Sequence, residues 1–373
     1  MNASNSKITA VDPALQSPLE ELTVALPAVV EALKLAPPIP VARLVGMIRR
    51  RLLTRLSPDF PLLAAICGGG SAGKSSLFNS LVGAPLSPAG GRAGMNRRAL
   101  LAAHSRLFQH PEFCRELFAP FDAAPQPLTH KEALTEPGPP LYLEHDGVPP
   151  ELVLLDTPDF DTGAKGVYTN RPLARQALAA CDLFIYIFTN SNYNNRDNTD
   201  FIADLLTGIG LRKCFLVYRV YPSFSDQEVR EHAAAVAQNI YGDQVRNGIL
   251  GIYRADEDNA VAAGERLLTL RPADEGRPEL KSALGRLDRH GLRAGFLEAL
   301  LADVIHQAHA VQAAGLGAHA NLKAYLDGVR TVQSHCVGHA LRTFPMDQVM
   351  GRFAQIWMES DPAHIRFMRQ TGT

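Results

Sequence analysis

The sequence predicts an α/β fold: a mostly parallel sheet covered by helices on both faces, with helical regions before and after it. Three observations carry this expectation. A short apolar run, residues 62 to 67, meets a glycine-rich turn and then a helical pattern, which reads as strand, loop, helix. Apolar, β-branched or aromatic runs then alternate with helical patterns up to about residue 255. From about residue 280 the pattern is helical nearly to the end.

Composition sets the frame. The chain has 373 residues, 46% hydrophobic and 20% charged, the profile of a globular protein with one large domain or two ordinary ones. The pattern divides it into an N-terminal helical segment (1–59), a central α/β domain (60–279) and a C-terminal helical region (280–373). Lys plus Arg, 37, nearly cancels Asp plus Glu, 38, which argues against a generally basic, nucleic-acid-coating protein, and no DNA partner is indicated. The five cysteines are dispersed, with no CxxC pair, and read as buried thiols in a reducing compartment. No signal peptide is read at the N-terminus and no apolar run approaches the roughly 20 residues of a membrane span, so the cytoplasm is the default, with attachment to a membrane surface left open. The last residues, Gln370 to Thr373, form no clear terminal element, as in a piece of a longer protein.

In chain order, residues 17 to 35 and 41 to 56 read as helices, the first interrupted by Pro27, with a Pro-rich stretch, APPIP, between them. After the strand 62–67 and the helix 74–81, residues 120 to 150 are Pro-rich and largely irregular. They end in a strand–turn–strand pattern across residues 141–143, Asp146-Gly147 and residues 152–155. Strands follow at 183–188, 214–220 and 249–253, with helices at 171–180, 198–208 and 226–240.

Residues 68 to 75 read Gly68-Gly69-Gly70-Ser71-Ala72-Gly73-Lys74-Ser75, a full match to the phosphate-binding loop G-x-x-x-x-G-K-[ST]. Glycines let backbone N–H groups turn inward around phosphate oxygens, and the helix that begins near Lys74 points its positive end at them. Lys74 reaches the β- and γ-phosphates, the Ser75 hydroxyl can ligate Mg²⁺, and Ser76 completes the nucleotide-binding run. An accidental match arises in roughly 1% of chains this long, and the strand before and helix after reduce that further. Residues 151 to 156, ELVLLD, form an apolar strand ending in Asp156, a second metal-holding candidate.

The loop GGGSAGKSS together with Asp156-Thr157-Pro158 resembles the translation-factor-related P-loop GTPases, and within them the Era-like and dynamin-like groups, over roughly residues 60 to 255. The resemblance implies a G-domain-like fold and GTP or GDP as ligand. It implies Mg²⁺ on Ser75 and Asp156, with Lys74 stabilising charge during phosphoryl transfer. On the dynamin-like side it implies a catalytic role for Ser71 in holding a monovalent cation, K⁺ or Na⁺. It also implies a homodimer through the G domain and a membrane surface or protein partner for the helical region.

Three departures qualify it. Asp159 stands where the family has a Gly that offers an N–H to the γ-phosphate; Phe160 follows, and an apolar residue there fits the Era-like and dynamin-like groups. Between Gly83 and His104 there is no Thr to serve the metal, and Ser87 is the only hydroxyl. In place of the base-reading N/T-K-x-D stand Tyr218-Arg219-Val220-Tyr221; Arg219 can lay its stem over a purine, and Asp226 is the nearest later carboxylate. Two functions of different class follow: a GTPase that couples nucleotide state to a helical region, or a nucleotide-binding regulatory module with little or no hydrolysis. A nucleotide kinase would keep the loop but needs an arginine-bearing lid, which is not found.

Other clusters read more plainly. Arg49, Arg50, Arg51 and Arg55 form a basic group that attracts an anionic surface or is simply a solvated helix face, beside the apolar stripe Leu44, Ile48, Leu52, Leu53 and Leu56. His335 and His339, beside Cys336, have metal-ligand spacing but no third ligand. The Asn-rich run 190–197 reads as a loop at the phosphate-loop edge of the sheet, from which Arg196 reaches a phosphate or a partner, or which merely caps a helix.

Overall fold

The structure, a computed structural model, describes residues 13–35, 41–57, 59–89, 96–109, 111–121, 124–160, 163–164, 167–168, 170–190, 196–208 and 211–372. It forms two compact units, one reaching to Val311 and the other comprising Gln312–Thr373 with Ala32–Leu35.

Among the described residues the first unit has eleven strands: β1 (Leu62–Cys67), β2 (Leu100–Ala103), β3 (Gln126–Pro127), β4 (Leu141–Glu144), β5 (Leu152–Asp156), β6 (Gly163–Ala164), β7 (Val167–Tyr168), β8 (Leu183–Thr189), β9 (Lys213–Val220), β10 (Ile249–Asp256) and β11 (Leu270–Pro272). Nine of them make one sheet in the order β11-β10-β9-β8-β1-β5-β2-β4-β3, and β6 pairs with β7. The pairs from β10 through to β5 are parallel, while β11 on β10 and β2 on β5 are antiparallel. This is the α/β P-loop architecture the sequence predicts.

The central strands β1, β5 and β8 are apolar almost throughout because both faces are covered. Alternate side chains supply two cores. On one face Cys67, Val153, Tyr186 and Leu216 pack with the helices Arg171–Ala179 and Asp226–Tyr241. On the other, Ile66, Leu154, Ile185 and Val217 pack with Leu77, Phe78 and Leu81 of the phosphate-loop helix, Lys74–Val82. A third core joins Leu19, Leu26, Leu44, Ile48 and Leu52 to Phe296, Leu300 and Val304, so the helical residues before the sheet pack on the helix after it. Each such side chain contributes roughly 1.5–3 kcal/mol of transfer free energy.

Two expectations are corrected and one is extended. The helix Gln16–Ala32 runs unbroken through Pro27, because Leu19, Thr23 and Leu26 are buried on one face and that packing outweighs a lost backbone bond. The strand–turn–strand pattern at 141–155 is present as β4 and β5, and β2 lies between them and pairs with both. Arg55 is not on a solvated face. It is fully buried, paired with Asp182 at the start of β8, and its guanidinium also donates to the Ala180 carbonyl at the end of the helix Arg171–Ala179. A carboxylate and the negative end of a helix thus draw the charge inward.

In the second unit the helix Arg289–Thr343 continues from Gln312, and Met346–Ser360 and Ala363–Thr371 follow. Its large apolar side chains, Tyr325, Leu341 and Trp357 among them, are exposed, as are His335, Cys336 and His339. Among the described residues no group of His, Cys, Asp and Glu is arranged to hold a metal, and no helix is long and apolar enough to cross a membrane. Cys67, Cys181 and Cys214 are buried thiols; burial pushes Cys181 and Cys214 up to about 12.

Candidate nucleotide-binding site

The site begins where β1 ends. A side chain at Gly68 would place its first carbon 2.2 Å from the Ile187 carbonyl oxygen of β8, so only glycine lets the chain leave the sheet there. The Ala72 N–H donates to Gly69 O at 3.2 Å, which closes a turn around Gly70 and Ser71. Ser71 is exposed and holds a left-handed backbone, φ 60°, which is uncommon for a residue with a side chain. Gly73, at φ 99°, turns the chain into the helix Lys74–Val82, which Gly83 ends at φ 91°. Ser76, half-buried in the first turn of that helix, accepts from the Ser80 hydroxyl through its carbonyl.

Lys74 is buried. Its Nζ donates to Gly68 O at 2.9 Å, to Gly69 O at 3.0 Å and to the carboxylate of Asp159, which uses all three ammonium protons.

Asp156 ends β5 opposite Ile66 of β1. Its Oδ2 accepts from the Ser75 hydroxyl at 3.0 Å, the Ser87 hydroxyl at 2.7 Å and the Asn96 amide at 3.1 Å. Asn96 also donates to the oxygens of Ser75 and Ser87. The other carboxylate oxygen, Oδ1, is buried and has no hydrogen-bond partner among the described residues. Burial pushes the Asp156 carboxyl up to about 6, against the opposing pull of the Ser87 hydroxyl, the Lys74 charge and the Ser75 hydroxyl.

Ser87 is delivered by Asn79. The Asn79 amide donates to Ser87 O at 2.8 Å, and its Oδ1 accepts from the backbone N–H groups of Leu86 and Ser87. The Thr157 hydroxyl donates to Ile66 O at 2.8 Å and ties the DTP segment to β1. Phe160 is buried against Phe201, ring centres 4.8 Å apart.

At the far side of the loop, Arg219 of β9 donates to Ser71 O at 3.4 Å, and Gly73 offers no side chain to displace it. It pairs with Glu257 at 3.3 Å. Because Val220 faces Asp256 in the β9–β10 register, Glu257 falls beside Tyr221, the last position of the departed base-reading motif. Its own N–H donates to Val220 O. Tyr221 is exposed, whereas Tyr218 is buried in the core against Phe188 and cannot stack on a base. Asp226 begins the helix Asp226–Tyr241 and is held by Arg254 and Arg271, which depress its carboxyl below the usual range. It is committed to that network.

The structure therefore brings Lys74, Ser75, Asp156, Arg219 and the glycines together and leaves Asp226 apart. Ser191–Asn195 and the Arg196 side chain lie outside the described residues. Sequence reasoning missed Asn79, Asn96 and Glu257. The first looks like any polar position of a helix, the second lies in a stretch without periodicity, and the third follows a strand that runs to Asp256, past the end of its apolar pattern at residue 253.

No protein-family model matches the chain, and no curated protein matches it. Among solved structures it is similar to a bacterial dynamin pair described as sensing and tethering membranes, at 15% identity and a TM-score of 0.41 over 92% of this chain and 52% of that one. It is also similar to Era from Aquifex aeolicus bound to GDP and AlF₄⁻, at 15% identity and a TM-score of 0.32 over 52% of this chain and 50% of that one. Toc33 from Arabidopsis thaliana in complex with GDP and Mg²⁺ matches at 13% identity and a TM-score of 0.33 over 63% of this chain and 98% of that one. The chain thus spans about half the length of the dynamin and Era structures.

Proposed function

We propose that the protein binds a guanine nucleotide, GTP or GDP, with Mg²⁺ in the loop 68–76, and that nucleotide state is read by its helical regions. The observation that carries this reading is the arrangement around Lys74: a buried ammonium at the start of a helix, framed by loop carbonyls, with a hydroxyl–carboxylate cluster beside it. The buried, unpartnered Oδ1 of Asp156 and the hydroxyls of Ser75 and Ser87 form an all-oxygen donor set. It suits a hard cation that keeps waters and takes its remaining ligands from phosphates. Bound there, Mg²⁺ would neutralise charge building on the phosphate oxygens. Lys74 would hold the β- and γ-phosphates, and the loop amides and helix start would orient the chain of phosphates. Ser87 would serve where the family uses Thr, and Ser71 would serve a monovalent cation in the dynamin-like manner.

For the base, Arg219 would cover one purine face while Glu257 accepts the guanine N1 and N2 protons, in place of the absent Asp. The third core, which joins the helices that precede the sheet in the chain to the one that follows it, is the path by which the nucleotide state would reach the helical region. A homodimer through the nucleotide face and a membrane or protein partner for the exposed apolar helices, at a cytoplasmic site, complete the proposal.

One observation favours a second reading, a regulatory module with little hydrolysis. Asp159, where the family has a Gly that offers an N–H to the γ-phosphate, places a carboxylate on Lys74. Titration with GTP, ATP and their diphosphates, with and without Mg²⁺, tests the first reading. A turnover assay on the same samples separates the second. Equal affinity for all nucleotides with and without Mg²⁺ would reject the site as drawn.

A further inference from the structure

The carboxylate of Asp159 sits on Lys74, the lysine that would hold the terminal phosphate. Lys74 has three protons to give, and two go to the loop carbonyls of Gly68 and Gly69, so Asp159 holds the remaining one. The ammonium is 5% exposed and the Asp159 carboxyl 11%, so solvent screens this pair weakly. Asp159 lies three residues past Asp156, on the segment that Thr157 anchors to β1. The carboxylate is therefore held at the loop by the chain itself.

We infer that Asp159 makes this a diphosphate-selective site: a nucleoside diphosphate takes a Lys74 proton from a loop carbonyl and binds with the Lys74–Asp159 pair intact, whereas a triphosphate must displace the carboxylate and then sit beside it. This inference rests on the loop being a nucleotide site, as proposed above. The physical argument is one of differential charge. A diphosphate ends short of the γ position, where Asp159 supplies the negative charge that Lys74 would otherwise seek. A triphosphate brings at least one more negative charge to a buried position that already has one. Its approach breaks a buried ion pair and leaves two like charges as neighbours. The nucleotide cycle of this chain would then rest in the diphosphate state, and a partner that draws Asp159 away would be what admits triphosphate.

The experiment is a competition titration of the whole chain with GDP and a non-hydrolysable GTP analogue, in Mg²⁺, for the wild type, Asp159→Asn and Asp159→Gly. Asn keeps the shape and an acceptor for Lys74 but removes the charge, so it is the variant that tests the charge with the fold kept. The wild type should prefer the diphosphate, and each substitution should move the triphosphate-to-diphosphate affinity ratio about tenfold or more towards the triphosphate, mostly through tighter triphosphate binding. A wild-type preference for the triphosphate, or a ratio that Asp159→Asn leaves unmoved, overturns the inference while nucleotide binding itself stands. Absence of binding by either nucleotide in the folded wild type overturns both this inference and the reading of the site.

Discussion

Arg219 and Glu257 pair at 3.3 Å across the ends of neighbouring parallel strands, with the arginine laid over the phosphate loop. A base seated against Arg219 would meet a carboxylate that the strand register, not a contiguous motif, brings there. Glu257→Gln should lower the preference for GTP over ATP by about tenfold or more, since a carboxylate accepting two guanine protons is lost. It should also improve XTP relative to GTP, because the new amide can donate to the xanthine oxygen. Asp226→Asn, at a residue bound by Arg254 and Arg271, should leave base choice unchanged. Competition titrations with the three triphosphates check both, and a shift with Asp226→Asn alone would return the role to that residue.

Asp156 predicts a pH dependence. Its folded carboxyl is raised to about 6, chiefly by burial. For a raised carboxyl, the metal-free fold gains most from this group below its unfolded value, and that gain is lost as pH rises through about 6. Mg²⁺ needs the ionised form, so its affinity should be nearly flat above about pH 7 and fall about tenfold for each unit below about 6. Asp156→Asn should raise the metal-free melting temperature near neutral pH and abolish the Mg²⁺ dependence of nucleotide binding. Calorimetric Mg²⁺ titration across pH, with melting curves of the variant, checks the pair of effects.

The buried pair of Arg55 and Asp182 joins the helices before the sheet to β8, and the second carboxylate oxygen also accepts from the Leu63 N–H at 2.9 Å. Asp182→Ala leaves a buried guanidinium and a backbone donor without that partner. It should cost about 3–5 kcal/mol in urea unfolding. Replacing both residues by apolar side chains of similar size should recover much of that loss. A cost below about 1 kcal/mol for the single variant would show that water reaches the pair.

Asn79→Ala removes three hydrogen bonds that hold Leu86 and Ser87. It should destabilise the fold by about 2 kcal/mol and weaken Mg²⁺ binding, because Ser87 would no longer be held on Asp156. Unfolding and Mg²⁺ titration of the same variant separate the two effects.

How legible this was from sequence follows from the range of the interactions. The loop from Gly68 to Ser75 could be read because its glycines, lysine and serine are contiguous and each residue type has a separate physical reason. Strands β1, β5, β8 and β9 could be read because burial on both faces makes them apolar runs. The strand β2 could not: Leu-Leu-Ala-Ala is short and carries weak strand preference, and its place between β4 and β5 is decided by pairing across the chain. Ser87 was visible as a lone hydroxyl, but its arrival at Asp156 depends on Asn79, 8 residues away. Glu257 is positioned by strand register, and the burial of Arg55 by Asp182, 127 residues later. Such long-range polar contacts leave no local pattern.

The central claim, that the loop 68–76 holds a nucleotide by its phosphates, is tested most directly by Lys74→Ala in a fluorescence titration with a labelled guanine nucleotide and Mg²⁺. The variant keeps the loop backbone, so its circular dichroism should match the wild type. Its nucleotide affinity should fall by about a hundredfold or more, as expected when a charged hydrogen bond to phosphate is lost. A folded Lys74→Ala protein that binds the nucleotide as tightly as the wild type would contradict the assignment of the site.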